Sequence, residues 1–174
     1  MEIAQQRIRK WIEKGDVEDY LDLSCLGLTE LPEIPNNIKY LNCYNNQLTT
    51  LPDNLQNLTY LNCSYNQLTS LPNNLPNLRT LYCHNNLLIK LPDNLLNLTT
   101  LYCNKNQLTE LPNLINLTYL SCSYNKLTTL SDNLSNLTRL YCFNNLLTKL
   151  PDNLPNIRDL YCYKNSFLNH DQNP

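Results

Sequence analysis

Apolar side chains return along most of this chain on one fixed beat, with polar residues between them. Counting Leu58 as position 1, the stretch LTYLNCSYNQLTSLPNNLPN reads L-x-x-L-x-C-x-x-N-x-L-x-x-L-P-x-x-L-x-N, and near copies flank it on both sides. Position 4 holds Leu41, Leu61, Leu81, Leu101, Leu120, Leu140 and Leu160; position 6 holds Cys43, Cys63, Cys83, Cys103, Cys122, Cys142 and Cys162. Position 9 holds Asn46, Asn66, Asn86, Asn106, Asn125, Asn145 and Asn165. A divergent eighth copy precedes them, YLDLSCLGLTELPEIP, with Leu21, Leu23, Leu28 and Leu31 in register. A fixed period of about 20 residues is the mark of a repeat array, whose units stack because none can bury its apolar face alone.

Within L-x-C the period is two, so leucine and cysteine share one face of a short strand and their neighbours share the other. Beyond position 11 too few residues remain for a long helix, and Pro52, Pro72, Pro92, Pro112 and Pro151 at position 15 oppose one. That side is expected to be extended or to carry brief 3₁₀ turns. Between Cys103 and Cys122 one residue is missing, LPNLINL standing where LPDNLLNL stands one unit earlier. The loss lies outside the strand, so the connecting loop should absorb it. Residues 2–14 follow a helical period, with Ala4, Ile8, Trp11 and Ile12 on one stripe and Gly15 as the stop. This predicts a capping helix in 1–17 over the open end of an array in 18–174, with a truncated last repeat and no clear C-terminal cap.

With L-x-x-L-x-[LC]-x-x-N-x-L in seven registered copies, the chain resembles the leucine-rich repeat family over about residues 18–168. The short unit is similar to the class found in leucine-rich repeat effectors of pathogenic bacteria. The expected fold is an α/β solenoid that is mostly β: a right-handed, curved leucine-rich repeat horseshoe. About eight parallel strands line its concave face, the convex side is extended or 3₁₀, and one helix caps the N-terminus. The resemblance implies protein binding on the concave face, and a turn-closing role for the position 9 asparagines. Some bacterial relatives carry a ubiquitin-ligase domain after the array; nothing here implies that activity.

Charge narrows the partners. Lys plus Arg total 13 against 15 Asp plus Glu, a net charge of −2. No basic field offers itself to nucleic acid or to an anionic membrane. The polar start MEIAQQRIRKWIEKGDVEDY does not read as a signal peptide, and no apolar run reaches the roughly 20 residues of a membrane span. A cytoplasmic protein is expected, the cytosol of a host cell included.

The 8 cysteines suggest disulfides or a metal, but seven occupy one inward strand position, where a free thiol acts as a small hydrophobe. Neighbours one strand apart sit about 4.8 Å from each other, against the roughly 3.8 Å between Cβ atoms that a disulfide prefers. No C-x-x-C pair is present, so structural thiols and a reducing compartment are expected, with no metal and no cofactor. Cys25 aligns with Asn45 instead of the ladder and is expected to be more exposed. Asparagine at position 9 suits buried backbone groups that need both a donor and an acceptor where the chain leaves the strand.

Function is then left to the outward positions 3, 5, 7 and 8. Tyr20 and the partner-binding candidates Tyr40, Tyr44, Tyr60, Tyr65, Tyr82, Tyr102, Tyr119, Tyr124, Tyr141, Tyr161 and Tyr163 fall there, which accounts for all 12 tyrosines. His84 and Phe143 complete the candidate surface. Tyrosine joins large contact area to few rotatable bonds and is a common interface anchor; cross-strand pairing is its simpler use. The expected function is a non-enzymatic protein-interaction module with an unknown protein ligand. The alternatives are a carbohydrate-binding surface, or self-assembly as a homodimer through an open C-terminal edge strand in 157–163. No catalytic set presents itself: Cys83 and His84 are adjacent and must point to opposite faces, and two glycines supply no phosphate-cradling loop.

Overall fold

The structure is a computed structural model that describes residues 1–167. The expectation about a C-terminal cap lies outside the described residues. One helix, α1 (Glu2–Lys14), precedes eight short parallel strands. These are β1 (Leu21–Asp22), β2 (Tyr40–Asn42), β3 (Tyr60–Asn62), β4 (Thr80–Tyr82), β5 (Thr100–Tyr102), β6 (Tyr119–Ser121), β7 (Arg139–Tyr141) and β8 (Asp159–Tyr161). They lie in one sheet in sequence order. Leucine meets leucine at every step, from Leu21 beside Leu41 to Leu140 beside Leu160. The missing residue leaves no trace in the sheet, since Leu101 still pairs with Leu120.

Alternation sends position 4 leucines and position 6 cysteines behind the sheet, where they join the leucines of positions 1, 11 and 18 in one continuous core. The convex side is mostly irregular. Each unit tightens it with one i to i−3 bond, such as Leu58 N–H to Leu55 C=O at 3.1 Å and Leu117 N–H to Leu114 C=O at 3.1 Å. This is the brief 3₁₀-type turn that the short spacing predicts.

The position 9 asparagines stitch neighbouring units together. Asn86 Nδ2 donates to the carbonyls of Cys63 (3.0 Å) and Cys83 (3.1 Å), and its Oδ1 accepts from Leu68 N–H at 2.9 Å. A second asparagine column, at position 20, does the same on the exposed flank: Asn77, Asn97 and Asn136 donate to the carbonyls of Gln56, Pro76 and Ile115 in the unit before.

Helix α1 rests on β1 through Ala4, Ile8 and Trp11, which are buried. The Trp11 indole donates to the carbonyl of Asp19 at 3.0 Å, and Gly15 ends the helix at φ 69°. Ile12 departs from the expected stripe, being 56% exposed. The helix covers an array end one unit deep, so its contact strip is narrow and Ile12 falls past its margin. At the other end Leu160 is 40% exposed where its counterpart Leu140 is wholly buried.

Candidate functional site

Everything outward on the strands belongs to a surface that the core does not need. Positions 3 and 5 form one track across it. Each strand, with the residue just before β1 included, places one tyrosine at either position 3 or position 5, and none places two. Tyr20, Tyr40, Tyr60 and Tyr119 take position 3; Tyr82, Tyr102, Tyr141 and Tyr161 take position 5. Their rings form one connected cluster, in which Tyr40 and Tyr60 are joined through Tyr20. Tyr20 reaches both Tyr40 and Tyr60, with centroids at 4.9 and 5.1 Å. Tyr82, Tyr102 and Tyr119 stack at 4.6 and 4.5 Å, and Tyr141 stacks on Tyr161 at 5.1 Å. The remaining joints, Tyr60 to Tyr82 and Tyr119 to Tyr141, are wider at 5.7 Å. Diagonal neighbours on a sheet lie within aromatic reach, which lets the ladder change column without breaking.

A second track follows positions 7 and 8 and is interrupted. Tyr44, Tyr65 and His84 meet edge to face at 5.3 and 5.4 Å. Farther on, Tyr124, Phe143 and Tyr163 meet at 5.3 and 4.7 Å. Between the groups stand Asn104 and Lys105, whose Nζ is 6.0 Å from the Tyr124 ring centroid. The structure thus brings together all thirteen candidate residues, but in two tracks and not one sheet of aromatics. The sequence reading missed that division, because no single repeat position carries the ladder.

Position 8 imposes a further condition that went unread. Cys25, Asn45, Tyr65, Asn85, Lys105, Tyr124, Asn144 and Lys164 all adopt positive φ, between 53° and 58°. Asparagine tolerates this region; tyrosine and lysine do so at a cost.

The electrostatics of the face are mild. Burial and the neighbouring phenols raise the pKa of Tyr60 and Tyr82, and burial with Tyr102 alongside raises that of Tyr119, so these hydroxyls keep their protons. Salt bridges stand near the two ends, Lys39 with Glu18 and Arg139 with Asp159 at 3.0 Å. From β3 to β6 every outward strand residue is Tyr, Asn, Thr or Ser.

Cys83 lies in the core while His84 is half-buried on the outer face. His84 instead meets Ser64, Nδ1 to Oγ at 2.9 Å. Burial, then Lys105, lowers the pKa of His84, but Ser64 is wholly buried and its Oγ is closed to a substrate. The ladder cysteines are unpaired, and burial pushes the Cys43 thiol up to about 12. Cys25 is exposed, as its misalignment predicts. Among the described residues no cluster of three or more His, Cys, Asp or Glu side chains could hold a metal, and no helix is long and apolar enough to cross a membrane.

Comparison with known families now adds to the geometry. The description Leucine Rich repeats (2 copies) matches residues 56–95 and 96–135, and Leucine Rich Repeat matches 37–58. With the repeat, the parallel sheet and the asparagine ladder, these place the chain in the leucine-rich repeat family. Within it, the chain is similar to bacterial effector proteins of the short-repeat class. YopM of Yersinia pestis, described as a leucine-rich effector protein, is 32% identical with a TM-score of 0.85, over 94% of this chain and 54% of that one. A Shigella effector leucine-rich repeat domain is 29% identical with a TM-score of 0.82, over 97% of this chain and 78% of that one. InlJ of Listeria monocytogenes, whose functional domain includes a cysteine ladder, is 30% identical with a TM-score of 0.64, over 87% and 40%. The chain thus spans about half the length of the Yersinia pestis protein it matches. Comparison with curated protein sequences gives no match.

Proposed function

We propose that the protein is a non-enzymatic interaction module that binds a protein partner on its concave face, along the tyrosine ladder. The observation that carries this reading is the connected cluster of tyrosines, one from each of the eight repeats. Sheet stability alone does not ask for it, since threonine or valine would serve at those positions. A large, uncharged aromatic surface is also a liability for a chain with no use for it. Leucine-rich repeats are generally protein-interaction modules, and the likeness to effectors supports action in the cytosol of a host cell. Unpaired thiols throughout the core suit a reducing compartment.

The test is retention of partners from cytosolic extract, comparing wild type with a folded Tyr60→Ser/Tyr82→Ser/Tyr102→Ser variant. A protein held by wild type and lost by the variant supports the reading and identifies the target. Identical retention by both reduces the tyrosines to sheet stabilisers.

A further inference from the structure

Charge is sorted between the two sides of the array. In the second to seventh units, residues 38–156, positions 1–12 contain no aspartate or glutamate. The carboxylates of those units, Asp53, Asp93, Glu110, Asp132 and Asp152, all stand at positions 13 and 16, on the connecting segments. Positions 1–12 of the same units hold Lys39, Arg79, Lys105, Lys126 and Arg139. A chain of net charge −2 thus keeps its strand side free of carboxylates and mildly positive. The first and last units answer two of these cations, Glu18 pairing with Lys39 and Asp159 with Arg139. Among the described residues Arg79, Lys105 and Lys126 have no ion pair.

Of those three, Lys105 is the one among the aromatic rings. With Asn104 it fills the gap of the second track between His84 and Tyr124, and it is exposed. Its compensation there is slight: the Tyr124 ring stands 6.0 Å away, at the outer limit of a cation–π contact. His84 supplies no negative charge, and burial and then Lys105 hold its pKa below the ordinary value. The backbone adds a cost. Lys105 sits at φ 55°, where Asn45, Asn85 and Asn144 show that the fold accepts a residue which tolerates this region better. A cation kept at a strained position, without a carboxylate of its own chain, is suited to receive one from a partner. A peptide fits better than a nucleic acid. Arg79 stands at position 2, Lys105 at 8 and Lys126 at 10, so the unpaired cations form no row for successive phosphates.

We propose that the partner segment received by the concave face is acidic. One of its side-chain carboxylates sits on the Lys105 ammonium, in the gap between His84 and Tyr124, and an apolar neighbour lies on the stack of Tyr82, Tyr102 and Tyr119. This rests on the concave-face reading above and adds the chemistry of the partner.

The test pans a displayed random-peptide library on the full chain at low ionic strength, where exposed charges are least screened. Peptides retained by wild type should be enriched in Asp and Glu over the input library. An enriched peptide, labelled with fluorescein and read by fluorescence anisotropy, should bind Lys105→Asn about tenfold more weakly and Lys105→Arg about as tightly as wild type. Lys105→Asn relieves the backbone, so unfolding does not explain a loss, and circular dichroism checks this. No acidic enrichment, or equal affinity for wild type and Lys105→Asn, overturns the proposal. So does displacement of the peptide by oligouridylate at equal charge, which would give Lys105 to a phosphate backbone. The Tyr60→Ser/Tyr82→Ser/Tyr102→Ser variant separates this proposal from the reading beneath it. Peptides without acidic residues that only wild type holds refute the carboxylate and keep the face; peptides held equally by both refute the face as well.

Discussion

Replacing Asn86 with alanine tests how the units are joined. The side chain donates to the carbonyls of Cys63 and Cys83, more distantly to that of His84 at 3.5 Å, and accepts from Leu68 N–H. Their loss is not uniform. The Cys63 carbonyl keeps Asn66 as a donor and the Cys83 carbonyl keeps Asn106, each at 3.0 Å. Only the Leu68 N–H loses its side-chain acceptor, in a setting where Leu68 is wholly buried. An orphaned buried donor costs about 1–3 kcal/mol, and each of the two shared bonds adds roughly 0.5–1 kcal/mol. The sum is about 3 kcal/mol, or a fall in Tm of about 6–12 °C for a chain of this size.

The control is Asn97→Ala. Asn97 belongs to the second column, is exposed, and makes a single bond of 2.8 Å to the Pro76 carbonyl. Water replaces that bond, so the cost should stay below about 1 kcal/mol. Urea unfolding followed by circular dichroism gives both numbers, with the slope m held as a check that the unfolding unit is unchanged. If Asn86→Ala unfolds at the same urea concentration as Asn97→Ala, the inner ladder is not what joins the units.

Other perturbations probe other parts of the stack. Ile8→Ala should cost about 2–4 kcal/mol and Ile12→Ala less than about 0.5 kcal/mol in the same assay, because only Ile8 is covered by β1; equal costs would mean the cap docks differently. Lys105→Asn relieves a lysine at φ 55° and should stabilise by about 0.5–1 kcal/mol, and a lower Tm would contradict the strain argument. With a thiol reagent at pH 8 the native protein should show Cys25 reacting fast and the half-buried Cys162 next, and further fast equivalents would refute burial of the ladder. Burial raises the thiols of Cys43, Cys63, Cys83, Cys103, Cys122 and Cys142 above their ordinary value, so the folded state holds protons that the unfolded state releases. Stability is therefore complete below about pH 9 and falls as pH rises towards the folded values, by about 1.4 kcal/mol per pH unit for each thiol; a native circular dichroism spectrum at pH 11.5 would refute it.

Those parts of the molecule set by one unit and its copies were legible in the sequence. Leu61 and Cys63 alternate with Tyr60 and Asn62 under period two, and seven copies leave no doubt about the face each takes. What depends on a neighbouring unit was harder to read. Asn97 stands plainly at position 20, but its acceptor is the Pro76 carbonyl one unit back, and spacing does not reveal an acceptor. Position 8 hides its backbone because Tyr65, Lys105 and Tyr124 stand among asparagines that would have announced it. Ile12 fits a helical stripe in isolation and loses its contact only through the shallow end on which α1 rests.

The tyrosine ladder belongs to neither kind. A requirement of the fold would repeat at one position, as cysteine does at position 6, because every strand meets the same core. The ladder moves from position 3 at Tyr60 to position 5 at Tyr82, back at Tyr119, and again to 5 at Tyr141, yet stays continuous. Continuity across strands, with freedom along each strand, is what a ligand crossing the sheet would demand. A sheet stabilised for itself would gain as much from isolated pairs, at about 0.2–1 kcal/mol each, and has no reason to close the run. The second track shows that alternative, being broken between His84 and Tyr124 in a sheet whose pairing continues unbroken through β5. This contrast between the two tracks is what supports the proposed reading of the first as a binding surface.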